Sequence, residues 1–178
     1  GLGILLFGIS TITIAQNAPR LNAGATDRQA YCPKIVIAPD FTIEESLTGS
    51  DTGIDSFSIQ ISSGYSEGSD RLDLLNHPNI KKDWSPVEGK LKLTPAVGTQ
   101  ILYADLQLAV RDIVFTSTDV DISEERSFSF TIGDANYLSS TEHFYEYISK
   151  PNITWQEARV EAESKTYYGL KGYLATIL

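Results

Sequence analysis

The side chains that most often carry catalysis are few in this sequence of 178 residues. There are two histidines, His77 in an Asn-His-Pro turn and His143 at the start of an apolar segment, and one cysteine, Cys32, before a proline. Neither histidine has a partner at the spacing of a known triad or metal motif, and a histidine in a turn is usually solvated. A nucleophilic cysteine needs a basic environment, and the nearest basic residue in sequence to Cys32 is Lys34. We therefore expect no catalytic residue here, and a protein that is not an enzyme.

Aspartates in turns are the residues that best suit a metal ion. Calcium takes several oxygen ligands, which closely spaced carboxylates between strands can supply. Six residues form three such pairs: Asp51 with Asp55, Asp119 with Asp121, and Asp134 with Asn136. None of the pairs completes a known calcium motif, and aspartates also cap turns and protect strand edges from aggregation. Calcium is the one cofactor that is consistent with the sequence. The sequence favours the other interpretation, in which these residues cap turns.

Most of these turns lie in a region, residues 34–136, with the pattern of short β-strands. Residues 57–61 (FSIQI) and 128–132 (FSFTI) alternate apolar and polar side chains, as strands with one buried face do. Other short strand-like runs are found at 34–38, 41–44, 71–75 and 89–93. We predict an antiparallel β-sandwich over 34–136. The side chains expected in its core are Phe57, Ile59, Ile61, Phe128, Phe130 and Ile132.

One segment of this region has helical spacing instead. From Leu102 to Ile113 the apolar residues recur at offsets of four, seven, eight and eleven, which predicts one short helix. The helix, the following Val-Phe-Thr run and the final FTIGDAN strand together resemble the cadherin-like repeats of bacteria. The resemblance implies a cadherin-like or Ig-like sandwich. It also implies calcium ligands at the end of the domain, where Asp134 and Asn136 lie.

The final segment begins with a helix signal. Thr154 is followed three residues later by Glu157, the spacing of a capping box. An amphipathic helix with one narrow apolar stripe is predicted next, the stripe being Trp155, Ala158 and Ala162. The small alanines allow the helix to lie close to a sheet. An apolar run at 173–178 then predicts a strand.

These residues resemble the opening of a C-type lectin-like domain, which has a strand, a helix with a Trp-x-x-Ala pattern, and a Gly-rich turn into a Leu-Ala-x-Ile strand. The matching residues are Trp155, Ala158, Gly169, Gly172, Leu174, Ala175 and Ile177, with 143–148 (HFYEYI) as the first strand. The resemblance covers 137–178 and implies an incomplete α+β domain. Ala162 stands where many members have a cysteine, so the usual disulfide is absent. The sugar and calcium ligands of the family lie in the second half of the domain, so no carbohydrate-binding residue is assigned here.

The N-terminal region favours export. Residues 3–14 (GILLFGISTITI) form an apolar run of 12, too short to span a bilayer and typical of a signal-peptide core. We assign 1–15 to a truncated signal peptide of the Sec type and 16–33 to a loop segment; a buried first strand is the alternative. Since the sequence has no methionine, we expect it to be a fragment or a processed product.

The net charge and the cysteine content limit the classes of binding partner and the cellular setting that we expect. The formal net charge is −9 and there is no cluster of Lys and Arg, so we expect no nucleic-acid partner. An apolar content of 42% is sufficient for a core. The single cysteine excludes an internal disulfide but could pair with a cysteine beyond residue 178, and it favours a bacterial envelope or extracellular setting.

The order of these features also resembles that of large surface proteins of gliding Bacteroidetes. The features are a signal peptide, a YCP motif, a sandwich with ISSGY and GDANYL, and a lectin-like WQEA and GLKGYLATI pair. The resemblance implies a secreted or cell-surface protein, exported through type IX secretion, without a transmembrane span. It implies non-enzymatic adhesion or carbohydrate recognition by the full-length protein, with surface glycans or proteins as partners. The alternatives are a structural spacer or protein-binding module, and an envelope hydrolase whose catalytic domain lies elsewhere.

Overall fold

The computed structural model describes residues 4–7, 20–24, 34–44, 52–119, 124–133, 135–138, 141, 143–167 and 170–175. They belong to two compact units. Unit 1 comprises Gly1–Ala18, Ser46–Gly49 and Ala135–Leu178, and unit 2 comprises Pro19–Glu45 and Ser50–Asp134. Cys32 lies outside the described residues.

The described residues are mainly β, with two short helices. The strands are β1 (Ile4–Phe7), β2 (Arg20–Asn22), β3 (Ile35–Val36), β4 (Thr42–Glu44), β5 (Gly53–Ile54), β6 (Phe57–Ser63), β7 (Asp70–Leu74), β8 (Ile80–Ser85), β9 (Lys90–Pro95), β10 (Ile101–Leu102), β11 (Ile113–Ser117), β12 (Ser127–Ile132), β13 (Asn136–Leu138), β14 (His143–Tyr147), β15 (Thr166–Tyr167) and β16 (Leu170–Leu174). The helices are α1 (Tyr103–Arg111) and α2 (Trp155–Ser164). All strand pairs among the described residues are antiparallel. The predicted mainly β, antiparallel class is therefore confirmed.

Unit 2 has two principal sheets around one core. Their strand orders are β12-β6-β9-β8 and β3-β11-β7, and two smaller pairs, β10-β5 and β2-β4, complete the unit. The Phe115 ring of β11 lies 5.6 Å from the Phe128 ring of β12, so the core joins the two sheets. The core prediction is confirmed for the alternating strands: Phe57, Ile59, Ile61 and Ile132 are buried, and Phe128 and Phe130 pack against the core.

The helix predicted in this unit is α1. It begins at Tyr103, one residue after Leu102, where the apolar pattern begins. Leu106, Ala109 and Val110 have no exposed surface, whereas Leu102 is 51% exposed. The helix is joined to the β4 region by two polar contacts. The side-chain oxygen of Gln107 accepts from the amide of Ile43 at 3.0 Å, and Arg111 Nε donates to the carbonyl of Phe41 at 2.8 Å.

Strand β8 was not predicted, because three consecutive charged residues interrupt its alternation. Ile80 is buried and Trp84 packs against the core, while Lys81, Lys82 and Asp83 are exposed. The strand forms one edge of the four-stranded sheet. Lys82 Nζ lies 2.6 Å from Asp73 Oδ1. A charged edge of this kind resists pairing with another chain.

Unit 1 has one five-stranded sheet, in the order β13-β14-β1-β16-β15. The predicted strand at 143–148 is β14, and the predicted helix is α2. The predicted last strand is found earlier, as β16, and residues 176–178 lie outside the described residues. Residues 4–7, within the predicted signal peptide, form β1 and pair with both β14 and β16. This short strand corresponds to the alternative that the sequence left open for the N-terminal run.

Candidate functional site

Helix α2 begins with the predicted capping box. Thr154 Oγ accepts from the Glu157 amide at 3.3 Å, and the Thr154 amide donates to Glu157 Oε2 at 2.8 Å. Two amides that the helix itself leaves unpaired thereby gain partners. Hydrogen bonds from Thr154 also hold the pKa of the exposed Glu157 carboxyl below its usual value.

Close contact between a glycine and an alanine positions the helix on the sheet. Ala162 has no exposed surface and packs with Phe144, Ile148 and Leu174. A Cβ on Gly172 would lie 2.5 Å from the Ala162 carbonyl oxygen, so only glycine fits there without a shift. The Gly172 amide donates to the carbonyl of Lys165 at 3.0 Å, where the helix ends. The residues that carry the lectin-like resemblance at this point thus have a packing role.

The other end of the predicted apolar stripe is open to solvent. Trp155 is 54% exposed although it shares the stripe with Ala162, and the guanidinium of Arg159 lies 5.9 Å from its ring centroid. Val160 is 66% exposed. A groove of about 550 Å³ runs beside it, lined by Lys150, Gln156, Glu157, Val160, Glu161 and Ser164. This surface offers an aromatic ring, a cation and carboxylates, groups that bind sugars or polypeptides without chemical change.

In each predicted calcium pair, one partner lies outside the described residues. Asp55 is exposed in unit 2 and Asn136 lies in β13 of unit 1, whereas Asp51, Asp121 and Asp134 lie outside the described residues. Asp119 Oδ2 lies 3.5 Å from a guanidinium nitrogen of Arg126. The described part of the chain contains no group of three or more His, Cys, Asp or Glu side chains placed to bind a metal. Calcium binding remains a prediction.

A buried ion pair that the sequence does not predict joins Asp70 and Arg126. Arg126 Nε donates to Asp70 Oδ2 at 2.7 Å, with the Asp70 side chain fully buried and that of Arg126 9% exposed. The Ser66 amide donates to the same oxygen at 2.9 Å. Arg126 therefore neutralises both Asp70 and Asp119, which makes this cluster a poor cation site. No local signal predicts the pair, because its members are 56 residues apart.

Both histidines have partners, and His77, which the sequence predicts to be solvated in its turn, instead forms a side-chain contact. His77 Nε2 lies 2.9 Å from Asp112 Oδ2, and the His77 side chain is 18% exposed. His143 Nδ1 lies 3.2 Å from the Tyr173 hydroxyl, and burial raises the pKa of Tyr173. The His77–Asp112 pair places a carboxylate beside an imidazole, which is one part of the arrangement that general-base catalysis uses. The prediction that the chain is not an enzyme remains a prediction.

Comparison with known proteins finds a similar segment in one very long chain. Halomucin from Haloquadratum walsbyi (strain DSM 16790 / HBSQ001) is 27% identical over 180 residues. The match covers 94% of this chain and 2% of halomucin. No family model matches this chain, and no solved structure matches it. The described residues include no helix that is both long and apolar enough to cross a bilayer.

Proposed function

We propose that this chain is a non-enzymatic recognition or adhesion module of a larger extracellular surface protein. The observation that carries the proposal is the extent of the halomucin similarity. Nearly the whole chain matches, yet the match takes up only 2% of the relative. A segment of this kind is expected to work as one module of a long chain, presented with many others.

The surface of α2 supports recognition as the role of unit 1. An indole ring that is half exposed and lies beside a guanidinium is costly to leave in water and useful for binding. The resemblance to C-type lectin-like domains suggests surface glycans as ligands, with protein ligands as the alternative. Calcium as a cofactor rests on the same resemblance.

A glycan array, probed with the full-length gene product in calcium and in chelator, tests the proposal. Binding that requires calcium supports the lectin-like interpretation, and binding in both conditions supports a calcium-independent surface. Trp155→Ala should weaken binding if the α2 surface takes part. The matched control is Val97→Ala, since Val97 is 79% exposed in unit 2. The proposal for glycans fails if no sugar is bound in either condition.

The second candidate is a structural spacer or protein-binding module, and the charged edge of unit 2 favours it. Lys81, Lys82 and Asp83 on β8 keep the sandwich from joining other sheets, as a repeated module in a crowded surface layer requires. Replacing the residues of unit 2, 19–45 and 50–134, with an unrelated sandwich of equal length that keeps 46–49 separates the two roles. Adhesion of cells that survives this exchange identifies unit 2 as a spacer, while loss of adhesion assigns recognition to it.

Export through a Sec signal peptide, and through type IX secretion in a gliding Bacteroidetes, completes the proposal. A signal peptide at 1–15 would be removed on export, and β1 would be removed with it. N-terminal sequencing of the protein recovered from the culture medium decides this point. A mature chain that starts near Gln16 supports the signal peptide, and a chain that retains residues 4–7 supports the strand.

A further inference from the structure

The outer face of the four-stranded sheet in unit 2 has a polar row across three strands. Ser129 on β12 is paired in register with Gln60 on β6, and Gln60 is paired with Lys90 on β9. Their neighbours along β6, Ile59 and Ile61, face the core, so these side chains lie on the opposite face. The Lys90 side chain is only 6% exposed. Lys90 is therefore withdrawn from bulk solvent, while Gln60 and Ser129 are half-buried.

Two neighbouring atoms of this row have no hydrogen-bond partner. Gln60 Oε1 and Ser129 Oγ are both buried, and neither is bonded to any protein atom. An unpaired buried polar atom is unfavourable, and most buried polar atoms in proteins have a protein or water partner. Two such atoms at directly paired positions point to one shared partner.

The orientation of the Gln60 amide is fixed by its other end. Gln60 Nε2 donates to the carbonyl of Glu88 at 3.3 Å. Turning the amide over would place two carbonyl oxygens against each other, so Oε1 stays directed away from Glu88. The shared partner must therefore donate a hydrogen bond to Oε1, while the Ser129 hydroxyl can either donate or accept.

The pairing of strand β12 with β6 is irregular close to Ser129. The pairing of β12 with β6 shifts register between Ser127 and Phe128. A bulge of this kind disrupts the regular ladder and changes where the next side chains point. Ser129 is the second residue after this bulge, and its hydroxyl forms no hydrogen bond with Gln60.

We propose that Gln60 Oε1 and Ser129 Oγ bind one buried water molecule that bridges β6 and β12. Water suits the site because it can donate to Gln60 Oε1 while donating to or accepting from Ser129 Oγ, and because both atoms are buried. A cation is disfavoured, since Lys90 is the next side chain in the row and both groups of the site are neutral. The water takes the place of a missing cross-strand contact next to the bulge.

A crystal structure of the full chain at a resolution that shows ordered water tests the proposal. We expect a peak at hydrogen-bond distance from both Gln60 Oε1 and Ser129 Oγ. In solution, the Gln60 side-chain amide protons should show an Overhauser effect to a long-lived water. A direct hydrogen bond between the two side chains, or no peak between them, overturns the proposal.

Variants supply a second measurement. Ser129→Ala and Gln60→Met should each lower the denaturation midpoint, and the double variant should lower it by less than the sum, since it removes both polar groups. The water peak should be absent from the double variant. The control is Ser127→Ala, an exposed serine on the same strand, which should change neither the midpoint nor the peak. A peak that persists unchanged in the double variant shows that other groups hold the water and refutes the assignment.

Discussion

At the scale of single residues, the contact between Gly172 and the helix is a tight constraint among the described residues of unit 1. Gly172→Ala places a Cβ 2.5 Å from the carbonyl oxygen of Ala162 and 3.4 Å from that of Lys165. Both are backbone atoms, so the helix itself has to move. We expect a loss of about 1–3 kcal/mol in the stability of unit 1, as for other overpacked sites. Hydrogen exchange of the amides at 158–164 measures the loss.

The neighbouring Lys171 provides the control for this experiment. Lys171 is exposed on the same strand, and Lys171→Ala should change the exchange of α2 by no more than about 0.5 kcal/mol. Equal protection of α2 in the wild type and in Gly172→Ala would show that the helix does not need this close approach.

The capping box predicts that the stability of the fold depends on pH through one carboxyl, that of Glu157. The pKa of Glu157 is lowered chiefly by its side-chain hydrogen bond with Thr154 and then by the backbone bond. A lowered pKa in the folded state means that the carboxylate stabilises the fold above its usual pKa of 4.5. This contribution is lost as the pH falls through the folded value.

Glu157→Gln tests this dependence, because glutamine keeps the capping geometry without the charge. The wild type should be the more stable of the two at neutral pH, and the difference should disappear as the pH falls below the folded pKa of Glu157. Stability measured by denaturant at pH 7, 4.5 and 3 gives the profile. Gln156→Ala, in the same turn and exposed, should give no such profile. A difference that is constant with pH would show that the carboxylate charge is not involved.

At the scale of secondary-structure elements, the ion pair between Asp70 and Arg126 joins the start of β7 to the segment that leads into β12. Arg126→Met leaves a fully buried carboxylate without its cation, since the remaining bond to Oδ2 comes from the neutral Ser66 amide. We expect a loss of about 3–5 kcal/mol in the stability of unit 2. Urea denaturation followed by the fluorescence of Trp84, which packs against this core, measures it.

Two further variants distinguish charge from packing in this prediction. Asp70→Asn combined with Arg126→Met removes both charges and should recover part of the loss. Arg71→Met changes an exposed arginine next to the pair and should cost no more than about 0.5 kcal/mol. If Arg126→Met is no worse than Arg71→Met, the buried pair does not stabilise the unit.

The strands and helices differ in how well the sequence predicts them. Strands β6 and β12 and helices α1 and α2 were predicted because each has one buried face, which imposes a period of 2 or 3.6 residues. Strand β8 was missed because its charged edge position hides the period. The Asp70–Arg126 and His77–Asp112 contacts join residues that only the folded sheets bring together, and no local pattern reveals them. For the same reason, sequence spacing alone could not place Asp119 beside Arg126.

At the scale of the whole chain, the described side chains of the two units differ in how much apolar surface they bury. Unit 2 has many large side chains without exposed surface, among them Phe41, Phe57, Leu91 and Leu93. Among the described residues of unit 1, the corresponding residue is the small Ala162, and Trp155 at the other end of its stripe is half exposed. Each large buried side chain contributes about 1.5–3 kcal/mol. Unit 1 should therefore open at a lower free energy than unit 2.

Native-state hydrogen exchange on the full chain tests this order directly. Amides of α2 in unit 1 should exchange through an opening of lower free energy than amides of β6 and β9 in unit 2. Leu93→Ala should lower the protection of β6 and β9 by about 2–5 kcal/mol because it leaves a cavity in the larger core. It should not change α2 if the units open separately. A fall in both would show that the chain unfolds as one cooperative body, and then the small core of unit 1 would have to draw its stability from unit 2.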